Sequence, residues 1–383
     1  MGAPSINIAF IEKSASAIQR GERGTVALLL KEKVVEDKDF TVYSVADIPG
    51  WLSESNREQV EMALKGYQNA PKKILAYVME EPSEADGGGE TDQEGQAGTL
   101  AESDRYQEAL NYFETLKWDY LAAPSVEEDG KTDTVASWIK SQRTNNKKTF
   151  KAVLPNSPSD CEGIVNVANG CRKGDKEYPA AKMCARVAGL ICGTPLTISC
   201  TYAPLPEMTD CDKLGQEELD EGVDKGKFLF IWDGEKVKAC RGVTSFVTAA
   251  DGKGESFKKI KIVDAMDLMH DDIRITVQDS YTGKYPNSYD NKCVLITAIN
   301  GYLSGLVRDG ILASGSCQIA LDAQREYLMG KGGLAAVDGE LKKLEDCTDE
   351  EVKRANTGSH VFLEAVASIH DAMEDFDFKI YIG

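Results

Sequence analysis

The sequence has few of the residues from which most catalytic and metal sites are built. Only three histidines occur in 383 residues, and none belongs to an H-E-x-x-H motif. The ten cysteines include no Cys-x-x-Cys pair, which removes the usual spacing of zinc ribbons and thioredoxin-like redox sites. Neither G-x-x-x-x-G-K-[ST] nor G-x-S-x-G occurs, so a P-loop and a nucleophile elbow are excluded. We therefore expect no catalytic residue, no cofactor and no metal ion.

Three weaker candidates for chemistry each have a simpler explanation. Residues 330–335 fit G-x-G-x-x-A, but they follow a predicted helix, whereas a dinucleotide site needs a preceding strand. His270 stands beside Asp271 and could attract a metal, although a site needs three or four convergent ligands. Asp160 and the pairs Glu217-Glu218 and Asp271-Asp272 could act as acid–base groups. Adjacent residues on a helix point in different directions, so we expect the side chains of each pair to be solvated and not to act together as an acid–base site.

Positive charge is also in short supply. Lysine and arginine number 44 against 63 acidic residues, for a formal net charge of −19. Phosphate binding needs clustered basic residues, so the balance disfavours direct contact with nucleic acid. No apolar run approaches the ~20 residues that span a bilayer, so we expect no membrane insertion. The first residues lack the pattern of a signal peptide, and most cysteines have apolar neighbours, which predicts buried reduced thiols and folding in a reducing cytoplasm.

Strand and helix patterns alternate through the first two thirds of the chain. The predicted strands are 25–30, 40–46, 74–79, 118–122, 150–154, 163–168, 228–232 and 236–246, the last extending the sheet. The predicted helices are 55–67, 106–116, 134–144, 180–192 and 214–221. Alternation of this kind predicts an α/β domain, or domains, over residues 21–250 with a partly parallel sheet.

After residue 250 the sequence pattern becomes mainly helical. Helices are predicted over 258–281, 289–309 and 319–328, with a short helical turn at 348–354. An antiparallel pair of strands, separated by residues 371–375, then ends the sequence. Helices followed by such a pair indicate an α+β domain over residues 251–372. The fold class is therefore α/β plus α+β.

Residues 80–104 interrupt the α/β pattern with an acidic, glycine-rich stretch. It has almost nothing to bury, so we predict a flexible exposed loop whose removal leaves folding and assembly intact. A cation or partner site is the alternative, but carboxylates at such a tip are usually only solvated.

Both ends of the sequence alternate with period two, which is typical of strands. At residues 1–20, Ile6, Ile8 and Phe10 share one face. At residues 373–383, one face carries Phe376, Phe378, Ile380 and Ile382. An apolar terminal strand recruits another chain by strand addition, or else it is the last strand of its own sheet.

Three stretches of the sequence form a recognisable set. They are GAPSINIAFIEK at residues 2–13 with RGERG at 20–24, YTGKYPNS at 281–288, and AMEDFDF at 372–378. Together they resemble the tail sheath proteins of contractile phages and R-type bacteriocins, especially the short Gram-positive type. The second is similar to a turn between helices in that family, and the third to its C-terminal strand.

The resemblance implies a structural role. Such subunits form stacked six-membered rings around an inner tail tube, and terminal strands of one subunit join a sheet in its neighbours. The expected partners are copies of this chain, the tube protein, and the baseplate and tail terminator proteins. Contraction of the sheath drives the tube through a target envelope. The particle is either an intact phage, with this chain in its tail sheath, or a headless bacteriocin.

A second hypothesis remains from another class of function. An α/β fold could also belong to a cytosolic enzyme with a small-molecule site that no motif reveals. Such an enzyme would have a ligand-lined pocket at the carboxyl ends of its parallel strands.

Overall fold

The structure, a computed structural model, describes residues 17–81, 102–249 and 252–382. These residues form two compact units. The α/β unit contains Glu22–Leu268 and residues 371–382, and the α+β unit contains residues 17–21 and Met269–His370. The predicted N-terminal strand and most of the predicted acidic loop lie outside the described residues.

The described residues contain nine α-helices and sixteen strands. The helices are α1 (Glu54–Leu64), α2 (Glu102–Glu114), α3 (Thr132–Thr144), α4 (Ala180–Cys192), α5 (Gln216–Asp224), α6 (Ile260–Thr276), α7 (Tyr289–Arg308), α8 (Leu321–Gly330) and α9 (Asp349–Arg354). The strands are β1 (Thr25–Glu32), β2 (Asp39–Val42), β3 (Lys73–Glu80), β4 (Tyr120–Ala122), β5 (Lys151–Pro155), β6 (Ile164–Val167), β7 (Cys171–Lys173), β8 (Lys176–Tyr178), β9 (Asp210–Cys211), β10 (Lys227–Phe228), β11 (Phe230–Trp232), β12 (Val237–Ala239), β13 (Leu312–Ile319), β14 (Leu334–Val337), β15 (Glu340–Lys343) and β16 (Leu363–Ile369).

A seven-stranded sheet forms the centre of the α/β unit. Its order is β10-β6-β5-β4-β1-β3-β2, and every neighbouring pair is parallel except β2 with β3. β1 reads TVALLLKE and is buried along nearly its whole length, as expected for a parallel strand covered on both faces. This confirms the predicted partly parallel sheet.

Apolar side chains cover both faces of this sheet. Leu28 and Leu30 of β1 face one core with α1 and α4, whereas Ala27 and Leu29 face a second core with α2 and α3. α1 and α4 cross very closely at Gly189, where an added Cβ would lie 1.9 Å from the Ala63 carbonyl oxygen. Only glycine fits at this crossing.

A cluster of buried charges connects the first part of α6 to the sheet. Asp267 accepts two hydrogen bonds from Arg143 at 2.9 and 3.0 Å and one from Lys151 at 2.9 Å. One turn earlier, Asp264 pairs with Arg23 and accepts a hydrogen bond from the Tyr120 hydroxyl at 2.8 Å. Because each buried charge has an opposite partner, the cluster can lie buried at the amino ends of the central strands β1, β4 and β5.

The α+β unit is built around smaller sheets. β13 pairs with β16, and β14 pairs with β15, both antiparallel. α7 packs against β13. α8 and α9 enclose a separate apolar cluster with the β14–β15 hairpin. The unit therefore combines helices with antiparallel strands, as predicted.

Three predicted strand arrangements are wrong. The terminal hairpin does not form, because β16 pairs with β13, a strand that the sequence prediction missed. Residues 228–232 are not one strand: β10 joins the main sheet and β11 pairs with β12. Consequently residues 236–246 do not extend the main sheet, since β12 belongs to that separate pair.

An asparagine side chain explains the break at Leu229. Asn169 donates to the Phe230 carbonyl at 2.9 Å and accepts from the Phe230 N–H at 2.8 Å. The amide takes the place of a neighbouring strand, so pairing with β6 ends there.

All ten cysteines are free thiols in this structure. Eight are buried, and Cys240 and Cys293 are partly exposed. Burial is the main cause that raises the pKa of most of them, including Cys211 to about 11. This confirms that the thiols are mostly buried, whereas their reduced state stays a prediction.

Candidate assembly site

In the α+β unit, the two-stranded sheet of β13 and β16 leaves most of β16 exposed. Every residue of β16 from Glu364 to Ser368 is exposed, and Val366 is 72 % exposed. Two strands alone are marginally stable in water. Within the described chain no third strand pairs with either of them.

Backbone geometry decides which groups of β16 remain available for pairing. The Ala320 N–H donates to the Phe362 carbonyl at 3.1 Å, so alternate residues from Phe362 onwards direct their backbone groups toward β13. The intervening residues direct theirs to the opposite edge. They are Leu363, Ala365, Ala367 and Ile369.

The outer edge of β13 differs because a side chain already occupies it. Asn300 of α7 accepts from the Cys317 N–H at 2.6 Å and donates to the Cys317 carbonyl at 3.2 Å. A strand added to that edge would have to displace this amide. β16 is therefore the open edge of the sheet.

One face of the sheet lies over α7. Gly315 approaches Leu303 so closely that an added Cβ would lie 3.1 Å from the leucine Cβ. Ala365 pairs with Cys317 and Ala367 with Gly315, so both alanines share this face. They are nevertheless exposed, because α7 packs against β13 and leaves the β16 side uncovered.

The C-terminal segment is held at its base within the α/β unit. The Glu374 carboxylate is 8 % exposed, accepts from the Thr201 hydroxyl at 2.6 Å and pairs with Arg241 at 3.2 Å. Arg241 also pairs with Asp375, and Lys259 pairs with Asp371. Residues 371–375 are thus an anchor and not the turn of a hairpin.

Beyond this anchor the segment leaves the surface. Residues 376–382, which we call the C-terminal arm, form no helix or strand in the single chain. The four predicted contact residues point into solvent: Phe376 (78 % exposed), Phe378 (83 %), Ile380 (73 %) and Ile382 (94 %). The arm is therefore not the last strand of a sheet in its own chain. Ile6, Ile8 and Phe10 lie outside the described residues.

Comparison with known proteins identifies the family. Residues 101–245 match the phage tail sheath protein central domain, and residues 252–383 match the phage tail sheath C-terminal domain. The tail sheath protein of Clostridium phage phiCD119 is 34 % identical over 380 residues, covering 99 % of each chain. The chain belongs to the phage tail sheath family.

Solved sheath structures share the fold. The sheath tail protein of Desulfitobacterium hafniense aligns with a TM-score of 0.66 at 18 % identity, covering 82 % of this chain and 93 % of that one. The contracted helical sheath of the anti-feeding prophage aligns with a TM-score of 0.68 at 13 % identity, covering 100 % and 99 %. These likenesses show a shared fold, and membership of the phage tail sheath family shows that the chain is a structural sheath protein and not an enzyme.

The pocket that an enzyme would need has a counterpart in this sheath protein. A crevice of about 290 Å³ lies at the carboxyl ends of β1, β3 and β4, where the strand order changes direction. Two of its charged residues already have partners: Glu32 accepts from the Ser53 N–H at 2.7 Å, and Lys31 pairs with Asp129 at 2.6 Å. The carboxylate of Glu32 thus occupies the amino end of α1, where an anionic ligand would bind.

His270 and the glycine-rich residues 330–335, the other candidates for a chemical site, do not lie together. His270 Nδ1 lies 3.3 Å from Asp271, and residues 330–335 join the end of α8 to β14. Among the residues that the structure describes, no three His, Cys, Asp or Glu side chains converge to hold a metal ion. In the same residues, no helix combines the length and apolar composition needed to cross a membrane.

Sequence reasoning did not find Asn300, Glu374 or the open edge of β16. The sequence offers one weak indication of Asn300. It is a polar residue on the same side of α7 as the buried Leu303, three positions later. Glu374 gives none, because its partners Thr201 and Arg241 are more than 130 positions away.

Proposed function

We propose that this chain is the sheath subunit that polymerises around an inner tail tube in stacked six-membered rings. Its contraction drives the tube through a target envelope, for phage genome ejection or for killing by a headless bacteriocin. Assembly takes place in the bacterial cytoplasm, with the tube, baseplate and tail terminator proteins as partners. Family membership and the full-length phage relative support this proposal.

The links between subunits form when the C-terminal arm of one copy adds to the β16 edge of another. One observation carries this step: the same chain holds an unpaired strand edge and an apolar arm that is unpaired in its own unit. An edge strand offers N–H and carbonyl groups to any extended chain of suitable length. The arm and β16 each have seven residues.

The side chains of the C-terminal arm also complement those of β16. The arm alternates large apolar residues with Asp377, Lys379 and Tyr381. With its apolar face on the α7 side, the phenylalanines would lie beside Ala365 and Ala367, whose small side chains leave room for a ring. The added strand would extend the apolar face that β16 now exposes.

Residues 371–375, the anchor, fix the position from which the C-terminal arm extends toward a neighbouring subunit. With Glu374 bound to Thr201 and Arg241, the arm leaves the α/β unit at a fixed point. A single arm loses much conformational entropy when it becomes ordered, so one link is weak. A closed lattice engages several arms at once, which raises their effective concentration. The free subunit should therefore stay soluble when dilute and polymerise cooperatively.

Variants of the arm test the donor side of the link. Phe378→Pro, or deletion of residues 376–383, should leave a folded monomer that forms no tubes, because proline removes a ladder donor. Deletion of residues 1–10 should weaken assembly in the same way. Circular dichroism checks folding and negative-stain electron microscopy counts the tubes.

Variants of β16 test the acceptor side. The Ala367 N–H points away from β13, so Ala367→Pro should preserve the intramolecular pair while blocking strand addition. Ala367→Ser, which keeps the N–H, is the matched control and should assemble. Normal tubes from Phe378→Pro, Ala367→Pro and both deletions would contradict linkage through terminal strands.

A further inference from the structure

The small sheet of β7, β8 and β9 brings two cysteines together. In the antiparallel pair of β7 and β9, Cys171 lies directly opposite Cys211. Directly opposed residues place their side chains on the same face of a sheet, and both cysteines belong to the same apolar cluster, at 2 % and 4 % exposure. Among the strand pairs of the described residues, no other register places a cysteine opposite a cysteine.

Two backbone N–H groups show which kind of antiparallel pair this is. The Asp212 N–H donates to the Gly170 carbonyl at 3.4 Å, a bond between the residues that flank the pair. The Cys211 N–H donates to the carboxylate of its own neighbour, Asp210, at 2.9 Å. Both bonds are typical of a non-hydrogen-bonded pair, whose Cα atoms lie about 4.5 Å apart. Disulfides span roughly 4.4–6.8 Å between Cα atoms, so Cys171 and Cys211 are within reach of each other.

The hairpin on the other side of β7 leads to the same conclusion. Two residues, 174–175, join β7 to β8, and Lys173 lies opposite Lys176 at this turn. A two-residue turn closes on a hydrogen-bonded pair, and such pairs recur at every second residue of a strand. Cys171 therefore directs its backbone bonds to Tyr178 on β8, its partner there, and meets β9 only through its side chain.

We propose that Cys171 and Cys211 form an intrachain disulfide when the folded chain meets a small-molecule disulfide. The Cys211 thiolate attacks one sulfur of this oxidant and releases one small thiol, which leaves a mixed disulfide on the protein. The Cys171 thiolate then attacks the Cys211 sulfur and releases the second small thiol. Two protein thiols are oxidised, two electrons reduce the oxidant, and the two protons leave on the released thiols.

Cys211 reacts first because it lies at the edge of the sheet. β9 is an outer strand of only two residues, and Asp212 and Lys213 beside it are exposed. Brief opening of so short a strand exposes the Cys211 thiol. Burial raises the pKa of Cys211 to about 11, with Lys213 opposing the shift and Asp210 and Asp212 adding to it. Since only the thiolate attacks, exchange in the folded chain is slow at neutral pH.

The disulfide would close a loop that contains all of α4, a helix in the core of the α/β unit. A crosslink across a loop of this length stabilises a protein mainly by restricting its unfolded chain. The oxidised chain should therefore resist urea better than the reduced chain. The oxidation needs only the folded chain and goes beyond the proposed function. Only its timing rests on that function, because a released particle leaves the reducing cytoplasm.

Oxidation of the full chain tests the site without any variant. The chain is incubated with glutathione disulfide in native buffer, its remaining thiols are alkylated, and it is digested with trypsin. Residues 152–172 should appear joined to residues 187–213, and fragmentation should place the bond between Cys171 and Cys211. The midpoint of urea unfolding should rise by about 1 M on oxidation and return after reduction with dithiothreitol.

Single variants locate the reaction. Cys171→Ala should retain glutathione on Cys211, because the thiolate that displaces it is missing. Cys200→Ala, which removes another buried thiol of the same apolar cluster, is the matched control and should still give the joined peptides.

Absence of the joined peptides from the native chain, or their formation only in urea, would overturn the inference, because the fold would then not bring the thiols together. The same peptides from Cys171→Ala would overturn it too, since Cys161 would then be the partner. Tube formation by the arm variants is a separate measurement, so these failures are distinguishable from failure of the proposed function.

Discussion

At the scale of single residues, two asparagines set the limits of the sheets. Asn169 binds both backbone groups of Phe230 and ends one strand of the main sheet. Asn300 binds both backbone groups of Cys317 and closes one edge of the β13–β16 pair. A carboxamide carries an NH₂ donor group beside a carbonyl acceptor, so it can bond both backbone groups of one residue in place of a neighbouring strand. In the second case the β16 edge is the one left open.

The buried charges make stability depend on pH. Burial alone would raise the pKa of Asp267, but Lys151 and Arg143 outweigh burial and hold the pKa below its usual value. A carboxyl with a depressed folded pKa contributes stability above its unfolded pKa and loses it as pH falls toward the folded pKa. We therefore expect the free energy of unfolding to fall below about pH 4.

Asp267→Asn tests this contribution. It leaves Lys151 and Arg143 with less compensating charge, so it should destabilise the α/β unit by about 3–5 kcal/mol at pH 7 and flatten the acid dependence. Urea unfolding between pH 7 and 3 measures both effects. Glu221→Gln, in an exposed pair with Lys225, is the control and should change little. An unchanged acid slope in Asp267→Asn would mean that other carboxyls control acid stability.

At the scale of elements, the α1–α4 crossing depends on one missing side chain. Gly189→Ala would place a Cβ 1.9 Å from the Ala63 carbonyl oxygen, so the helices must separate, at a cost of roughly 1–3 kcal/mol or more. Gly301→Ala in α7 meets no atom within 4 Å and should stabilise its helix by about 0.5–1 kcal/mol. Urea unfolding of the two variants should give opposite signs. Equal small effects would show that α1 can move away freely.

Sequence patterns predicted the elements that bury a regular face. α4 matches its predicted range, and β1 and β3 extend theirs by two residues, because packing follows their apolar periodicity. β13 was missed since its centre, Ala-Ser-Gly-Ser, has low strand propensity. Position 315 accommodates glycine because α7 packs so close to the strand. This tertiary contact cannot be predicted from the local sequence.

At the scale of the whole molecule, the sequence predicted the arm but not the strand edge that we propose as its acceptor. Alternation identified Phe376 to Ile382 as apolar and strand-like, and the structure leaves those side chains exposed. The acceptor edge depends on the pairing of β16 with β13 and on Asn300, which are contacts between distant positions. Pattern alone could not tell a strand of the chain's own sheet from one given to a neighbour.

Hydrogen exchange of the arm tests the central claim most directly. Mass spectrometry would compare amide exchange in dilute monomer and in assembled tubes. We expect fast exchange of residues 376–382 in the monomer and strong protection in tubes, together with new protection of the outward N–H groups of Leu363, Ala365, Ala367 and Ile369. Tubes in which residues 376–382 exchange as fast as in the monomer would contradict the account, because the arms would then form no strand between subunits.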